Sequence, residues 1–265
     1  MKTIIGRGID VSKHQGTINW KKVKEAGVQF AIIRAGYGKL SSQVDSKFVE
    51  NYNNAKANGI KVGLYWYSYA TTPAEAKQEA AACKKVIGNR AFDYPIYYDV
   101  EEGKTLNTGK SNVSAIIKAF CSEMEASGYY VGVYMSKAAA ETYLTDEVKN
   151  RYAMWIAHWG VKETTYKGNY GVWQSSSIGV VPGINGVVDT DVSYIDYPEI
   201  IVKMGYNNNH KVATKPATKP EAKPTKPTKP TKPTKPTKPV TPTKKTIEVT
   251  VKVDGKSYKG KLTEV

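Results

Sequence analysis

The chain has 265 residues, 40% of them hydrophobic, with 19 Tyr and 5 Trp against only 4 Phe. Its formal charge of +15 is unevenly spread: residues 211–245 contribute +10 and residues 246–265 contribute +1, which leaves +4 for residues 1–210. That distribution excludes a nucleic-acid reader built on a basic folded face, and the lack of any apolar run of spanning length excludes membrane insertion.

Strand and helix signals alternate over residues 1–205. Residues 4–11 read as a strand ending in Asp10, followed by a short helix over 18–26 with Asn19 as its cap. The apolar run 29–36 suits a strand buried on both faces. Residues 45–58 place Phe48, Val49, Tyr52 and Ala55 at helical spacing and stop at Gly59. A third strand covers 61–69, and an Ala-rich helix over 73–87 has Pro73 in its first turn and Gly88 after its end. Strand four spans Tyr94 to Glu102, a helix over 111–127 closes at Gly128, and strand five spans 129–135. A short helix over 138–144 follows, after which 152–158, 171–175 and 186–192 look like three strands joined by loops. Eight strands, the first five followed by helices, predict an α/β fold of the (β/α) TIM-like barrel type, incomplete in its last three units. A doubly wound open sheet is the rival, but it calls for a Gly-rich phosphate turn that Gly36-Tyr37-Gly38 is too sparse to form.

Barrel enzymes carry their chemistry at the carboxyl ends of the strands. Asp10 ends the first strand, Asp99 and Glu101 end the fourth, and Asp189 and Asp191 lie on the last. On one strand face, Asp99 and Glu101 would have Cα atoms about 6.7 Å apart, from two residues of rise. Repulsion between two such carboxylates raises one pKa and separates an acid from a base, which is the equipment for cleaving a glycosidic bond. Tyr65 and Tyr67 on one face of strand three, Tyr134 near the end of strand five, and Trp155 are expected to stack sugars, with Arg34 and Gln174 as polar partners. His14, His158 and His210 are scattered, so neither a metal nor a cofactor is expected. No Gly-x-Ser-x-Gly turn occurs to support a serine hydrolase.

These segments resemble family 25 of the glycoside hydrolases, the Chalaropsis-type lysozymes. The likeness rests first on Gly8-Ile9-Asp10-Val11-Ser12-Lys13-His14-Gln15-Gly16 and Phe30-Ala31-Ile32-Ile33-Arg34-Ala35-Gly36. Gly63-Leu64-Tyr65, Tyr98-Asp99-Val100-Glu101, Trp155-Ile156-Ala157, Val172-Trp173-Gln174 and Val187-Val188-Asp189 continue it in order, so that it covers residues 5–195. It implies hydrolysis of the β-1,4 bond between N-acetylmuramic acid and N-acetylglucosamine in bacterial peptidoglycan. By position it implies Glu101 as proton donor, and Asp99 either as nucleophile or as the group orienting the substrate's own N-acetyl. Asp10 and Asp189 are implied as flanking acids. Asp191 stands where the family more often has Asn and is expected to contact substrate, while Trp66 stands where many relatives have His. A chitinase-like glycosidase and a non-catalytic wall-binding barrel are the rival readings.

The barrel is expected to occupy residues 1–206. A linker over 207–245 follows, with uninterrupted Thr-Lys-Pro repeats in Thr225–Pro239. Proline at every third position favours an extended spacer on the order of 90 Å long. Its positive charge suits an anionic wall. Residues 246–265 alternate Ile247, Val249, Val251 and Val253 with polar residues, turn at Asp254-Gly255 and return to Leu262, a β-hairpin too small to stand alone. Pairing with copies of itself to give a homo-oligomer is the first expectation for this tail, and wall binding the second. Cys83 and Cys121 fall in separate helices and read as free thiols. The start Met1-Lys2-Thr3-Ile4-Ile5-Gly6-Arg7-Gly8 lacks the apolar core of a secretion signal. The protein is therefore expected to be made in the cytoplasm and to reach the wall through a holin-type pore, as a phage or prophage endolysin. A bacterial autolysin is the alternative.

Overall fold

The structure, a computed structural model, describes residues 2–209 and, as backbone, residues 246–253 and 256–263. Eight strands close into a barrel in chain order. They are β1 (Gly6–Val11), β2 (Phe30–Tyr37), β3 (Lys61–Tyr67), β4 (Ile96–Asp99), β5 (Val131–Ser136), β6 (Ala153–Ala157), β7 (Val172–Gly179) and β8 (Val188–Ser193). β1 to β7 are parallel, and β8 runs antiparallel to both β7 and β1. Helices α1 (Trp20–Glu25), α2 (Phe48–Ala57), α3 (Pro73–Ile87), α4 (Gly103–Leu106), α5 (Lys110–Glu125), α6 (Lys137–Tyr143) and α7 (Asp146–Arg151) lie between the first six strands, and α8 (Tyr197–Met204) follows β8. Five βα units followed by three helix-poor strands is the predicted plan. The missing helices do not leave the sheet open, because β8 pairs with β1 from Gly6↔Ser193 to Asp10↔Asp189.

Local chemistry explains the long helices. In α3, Thr72 caps the first turn by accepting from the Glu75 N–H, and Pro73 sits where its missing N–H costs nothing. α5 buries Val113, Ile116, Ile117, Phe120, Cys121 and Met124, one stripe at three- and four-residue spacing. That stripe covers the outward face of β4, where Tyr98 stacks on Phe120 at 3.9 Å between ring centroids. Both Cys83 and Cys121 are buried and free.

A second core fills the barrel itself with Phe30, Ile32, Tyr94, Tyr97, Tyr134, Trp155 and Val172. Glycines make room for these rings: a Cβ on Gly132 would lie 2.4 Å from the Tyr97 ring, and one on Gly8 would lie 2.4 Å from Phe30. α8, absent from the predicted elements, brings Tyr197 and Ile201 into this same core and so plugs the barrel's amino-terminal mouth. Its local signals are the cap Asp196, which accepts from the Glu199 N–H, Pro198 in the first turn and the left-handed Gly205 at its end. α4, α7 and a single 3-10 turn at Lys13–Gln15 are also unpredicted; each is six residues or shorter and carries little periodicity.

Strand four is shorter than its hydrophobicity suggests. β4 stops at Asp99, so Glu101 stands on the loop beyond it and not on the same strand face as Asp99. Among the described residues no helix is long and apolar enough to cross a membrane. The tail forms a separate unit in which β9 (Thr246–Val253) and β10 (Lys256–Thr263) pair antiparallel with Val253 opposite Lys256, as the Asp254-Gly255 turn predicts. Residues 210–245 of the expected linker lie outside the described residues.

Candidate active site

The carboxyl ends of the parallel strands and the start of β8 meet at one mouth. Asp10 is the fifth residue of β1 and pairs directly with Asp189, the second residue of β8. Asp99 ends β4, level with Tyr67 on β3 and Tyr134 on β5. Asp10 and Asp99 are buried, Asp189 is half-buried, and Glu101 is exposed to the cleft. The antiparallel direction of β8 is what puts an acid near its amino end beside acids at carboxyl ends.

Below this rim lies a hydrogen-bonded floor. Gln174 Nε2 donates to Asp10 Oδ2 at 2.7 Å, while Gln174 Oε1 accepts from Tyr134 Oη at 2.9 Å and from Trp159 Nε1 at 3.0 Å. Trp155 Nε1 donates to Asp191 Oδ1 at 2.8 Å. Asp99 Oδ1 and Asp191 Oδ2 are buried with no hydrogen-bond partner. On the opposite side Arg34 Nε donates to Asp45 Oδ2 at 2.7 Å, and Asp45 also accepts from the backbone N–H groups of Lys13 and Lys47. Asp45 therefore ties the turn after β1 to Arg34 on β2.

Burial holds every acid of the cluster above the ordinary carboxylate range, and repulsion between them adds to it at Asp10, Asp99, Glu101 and Asp191. For Asp10 the largest cause is desolvation, followed by the charges of Asp191 and Asp189. Desolvation and the Glu101 charge raise Asp99, with Arg34 opposing. Glu101 is raised by desolvation of its carboxyl against the cleft wall, then by Asp189 and Glu102. Asp189 is raised by desolvation. Desolvation pushes Asp191 up to about 8 against the opposing Trp155 hydrogen bond. Arg34 opposes the rise at Asp99, which nonetheless stands further above its ordinary value than Glu101 does.

The expected sugar contacts divide in two. Tyr65 and Tyr67 are half-buried at the rim, and Tyr67 Oη donates to Glu102 Oε2 at 3.2 Å. Tyr134, Trp155, Gln174 and Asp191 are each under a tenth exposed, so they offer no open face to a ligand. Trp155 packs on Tyr65, Tyr97 and Tyr134 as part of the barrel interior. Arg34 faces the cluster but its Nε is committed to Asp45. The exposed aromatics at this mouth are Tyr69 and Trp159, each half exposed, with Tyr69 in contact with Tyr37 and Tyr67. Neither is predicted, since a lone aromatic in a loop has no pattern. Trp66 is fully buried, with Nε1 donating to the Gly38 carbonyl. Among the described residues no group of His, Cys, Asp and Glu is arranged to hold a metal ion.

A family model described as glycosyl hydrolases family 25 matches residues 9–184. The autolytic lysozyme of Clostridium acetobutylicum is 31% identical over 185 residues, covering 70% of this chain and 55% of that protein. This chain thus spans about half the length of that relative. Among solved structures, the CTP1L endolysin superposes with a TM-score of 0.67 at 26% identity, covering 74% of this chain and 69% of that one. The modular autolysin LytC of Streptococcus pneumoniae, in complex with a synthetic peptidoglycan ligand, superposes with a TM-score of 0.63 at 30% identity over 71% of this chain and 46% of that one.

Proposed function

The chain belongs to the glycosyl hydrolases of family 25, and from this we propose that it is a 1,4-β-N-acetylmuramidase acting on bacterial peptidoglycan. The observation that carries the reading is the acid cluster at one barrel mouth: a Glu101 exposed to the cleft beside a buried Asp99, both raised above the ordinary carboxylate range. Glu101 would protonate the glycosidic oxygen as the bond to muramic acid breaks. Asp99 would carry negative charge beside the anomeric carbon, either by attacking it or by steering the sugar's N-acetyl. Burial, then the charges of Asp189 and Glu102, raise the Glu101 pKa and so favour its protonated form. Tyr67, Tyr69 and Trp159 provide the open aromatic surface for sugar rings. Mass spectrometry of digested peptidoglycan tests this. Fragments ending in reducing muramic acid support it, and fragments ending in reducing N-acetylglucosamine overturn it.

The biological setting we propose is lysis of a bacterial host by a phage-type endolysin, supported by the likeness to the CTP1L endolysin. Expression inside a susceptible host checks this: lysis should require that the inner membrane first be permeabilised. We further propose that the β9–β10 hairpin pairs with further copies of itself. Light scattering of the full chain should give more than one chain per particle, and a chain ending at residue 210 should give one.

A further inference from the structure

Glu79 lies on the buried face of α3 with Ala76, Ala80 and Cys83, and it is 1% exposed. Among the described residues it forms no ion pair. A carboxyl group buried away from any cation is costly unless hydrogen bonds offset the loss of water. Two donors meet it. The Tyr69 backbone N–H reaches Oε1 at 2.8 Å, and Tyr98 Oη donates to Oε2 at 2.6 Å. Tyr98 Oη in turn accepts from Ser68 Oγ at 2.8 Å. Both donors adjoin the cleft: Tyr98 precedes Asp99 on β4, and Tyr69 is the half-exposed ring beside Tyr67.

Residues 68–72 join β3 to α3, and their backbone N–H groups are claimed in turn. Ser68 donates to the Asp99 carbonyl at 2.9 Å, Ala70 to Ser68 Oγ at 3.2 Å, and Thr71 to Glu75 Oε2 at 2.9 Å. Thr105 Oγ1 and Asn112 Nδ2 donate to the carbonyls of Ala70 and Thr71, each at 2.8 Å. Of these amides, that of Tyr69 draws its acceptor from the buried face of a helix.

We propose that Glu79 is a positioning residue: by holding the Tyr69 amide it fixes the β3–α3 loop so that the Tyr69 ring is presented to the glycan. A carboxylate suits this place because both its partners are donors and each of its oxygens can accept one. Gln at this position keeps an oxygen for the Tyr69 amide but turns an N–H toward Tyr98, whose O–H then lacks its acceptor. Stability and positioning therefore separate between variants.

Variants made in the full chain test this in two arms. In the first, amide hydrogen exchange follows the Tyr69 N–H against those of Val62 and Leu64 on β3. Relative to these, Glu79→Leu should cut Tyr69 protection by about tenfold or more, and Glu79→Gln should keep it within about threefold. In the second, kinetics are measured on soluble glycan chains. Tyr69→Ala and Glu79→Leu should each raise KM by about threefold to tenfold, with kcat within about twofold of wild type. The double variant should match Tyr69→Ala within about twofold, because Glu79 acts through that ring. Glu79→Gln should lower Tm yet hold KM within about twofold, a split that a merely structural role would not give.

Undiminished Tyr69 protection in Glu79→Leu overturns the hold on the loop. A double variant whose KM rises by the product of the two single factors overturns action through Tyr69, and so does a Gln variant as impaired in KM as the Leu variant. If Glu79→Leu does not fold, Glu79→Asp, with its carboxyl drawn back by one methylene, takes its place in both arms. Only the kinetic arm rests on the reading of the rim as a sugar platform. An unchanged KM in Tyr69→Ala would sink that reading and the role in binding, while the exchange arm would still decide whether Glu79 holds the loop.

Discussion

β1 to β5 each hand the chain to a helix on the outside of the barrel, whereas β6, β7 and β8 succeed one another through loops alone. The first group has apolar outward faces that need cover, as Tyr98 against Phe120 shows. The second exposes more of its outer side: Ser175 and Ser176 on β7 are half-buried and Ile178 is exposed. Both groups feed the same mouth, with different contributions. The helix-covered half supplies Asp10, Asp99 and Glu101, two of them at strand ends and one just past. The bare half supplies Gln174, Asp189 and Asp191, which buttress the first set from behind or beside. The proposed reactive groups and their support thus come from opposite halves of one sheet.

Mutations on the two sides should separate these contributions. The largest effect is expected from the helix-covered half: Glu101→Gln removes the acidic proton and should lower kcat/KM by roughly a thousandfold, with an unchanged Tm because the side chain is exposed. A Glu101→Gln enzyme near wild-type activity would mean that the proton comes from elsewhere. In the bare half, Gln174→Leu strands Asp10 Oδ2, Tyr134 Oη and Trp159 Nε1 without their partner. A cost of about 1–3 kcal/mol for each buried group so stranded predicts a large fall in urea midpoint together with lost activity. Unaltered stability would show that water replaces the amide.

The pH profile compares the halves directly. Glu101 is raised by desolvation, then by Asp189 from β8, then by Glu102 beside it. In the proposed donor role activity requires its protonated form, so the alkaline limb should lie above the ordinary Glu value and fall as pH rises through the raised pKa. Removing a neighbouring negative charge lowers that pKa, so Asp189→Asn should move the limb to lower pH, and Glu102→Gln should move it less. The reverse order would place the controlling charge in the first half. The smallest effect is expected at the open rim: Trp159→Ala should raise KM by about threefold to tenfold with little change in kcat, measured on soluble glycan chains. A fall in kcat alone would assign Trp159 to support of Gln174 and not to sugar binding.

Much of this was readable from residues alone. Alternation with period two and spacing with period three to four mark strands and helices locally, and caps such as Thr72-Pro73 mark their starts. That is why all eight strands, five main helices, the terminal hairpin and the acids Asp10, Asp99 and Asp189 stand where they were expected. Elements of six residues or fewer had too little pattern to show, whereas α8 carried both a start signal at Asp196-Tyr197-Pro198 and a stop at Gly205 and was legible but unread.

Period two separates the faces of a strand but says nothing about depth along the barrel or the direction in which a strand runs. Trp155, Tyr134 and Gln174, expected to contact sugar, are each under a tenth exposed, a depth that only the packing of the closed barrel decides. Asp45 reaches Arg34 and the turn after β1 from a loop, with no repeat to announce it. Sequence by itself determined which residues could carry acid chemistry and on which strands. Only closure of β8 against β1 decided that Asp189 would join the rim and Asp191 lie buried behind Asp10, because contact across a closed sheet depends on strand direction and shear, which no local stretch of chain encodes.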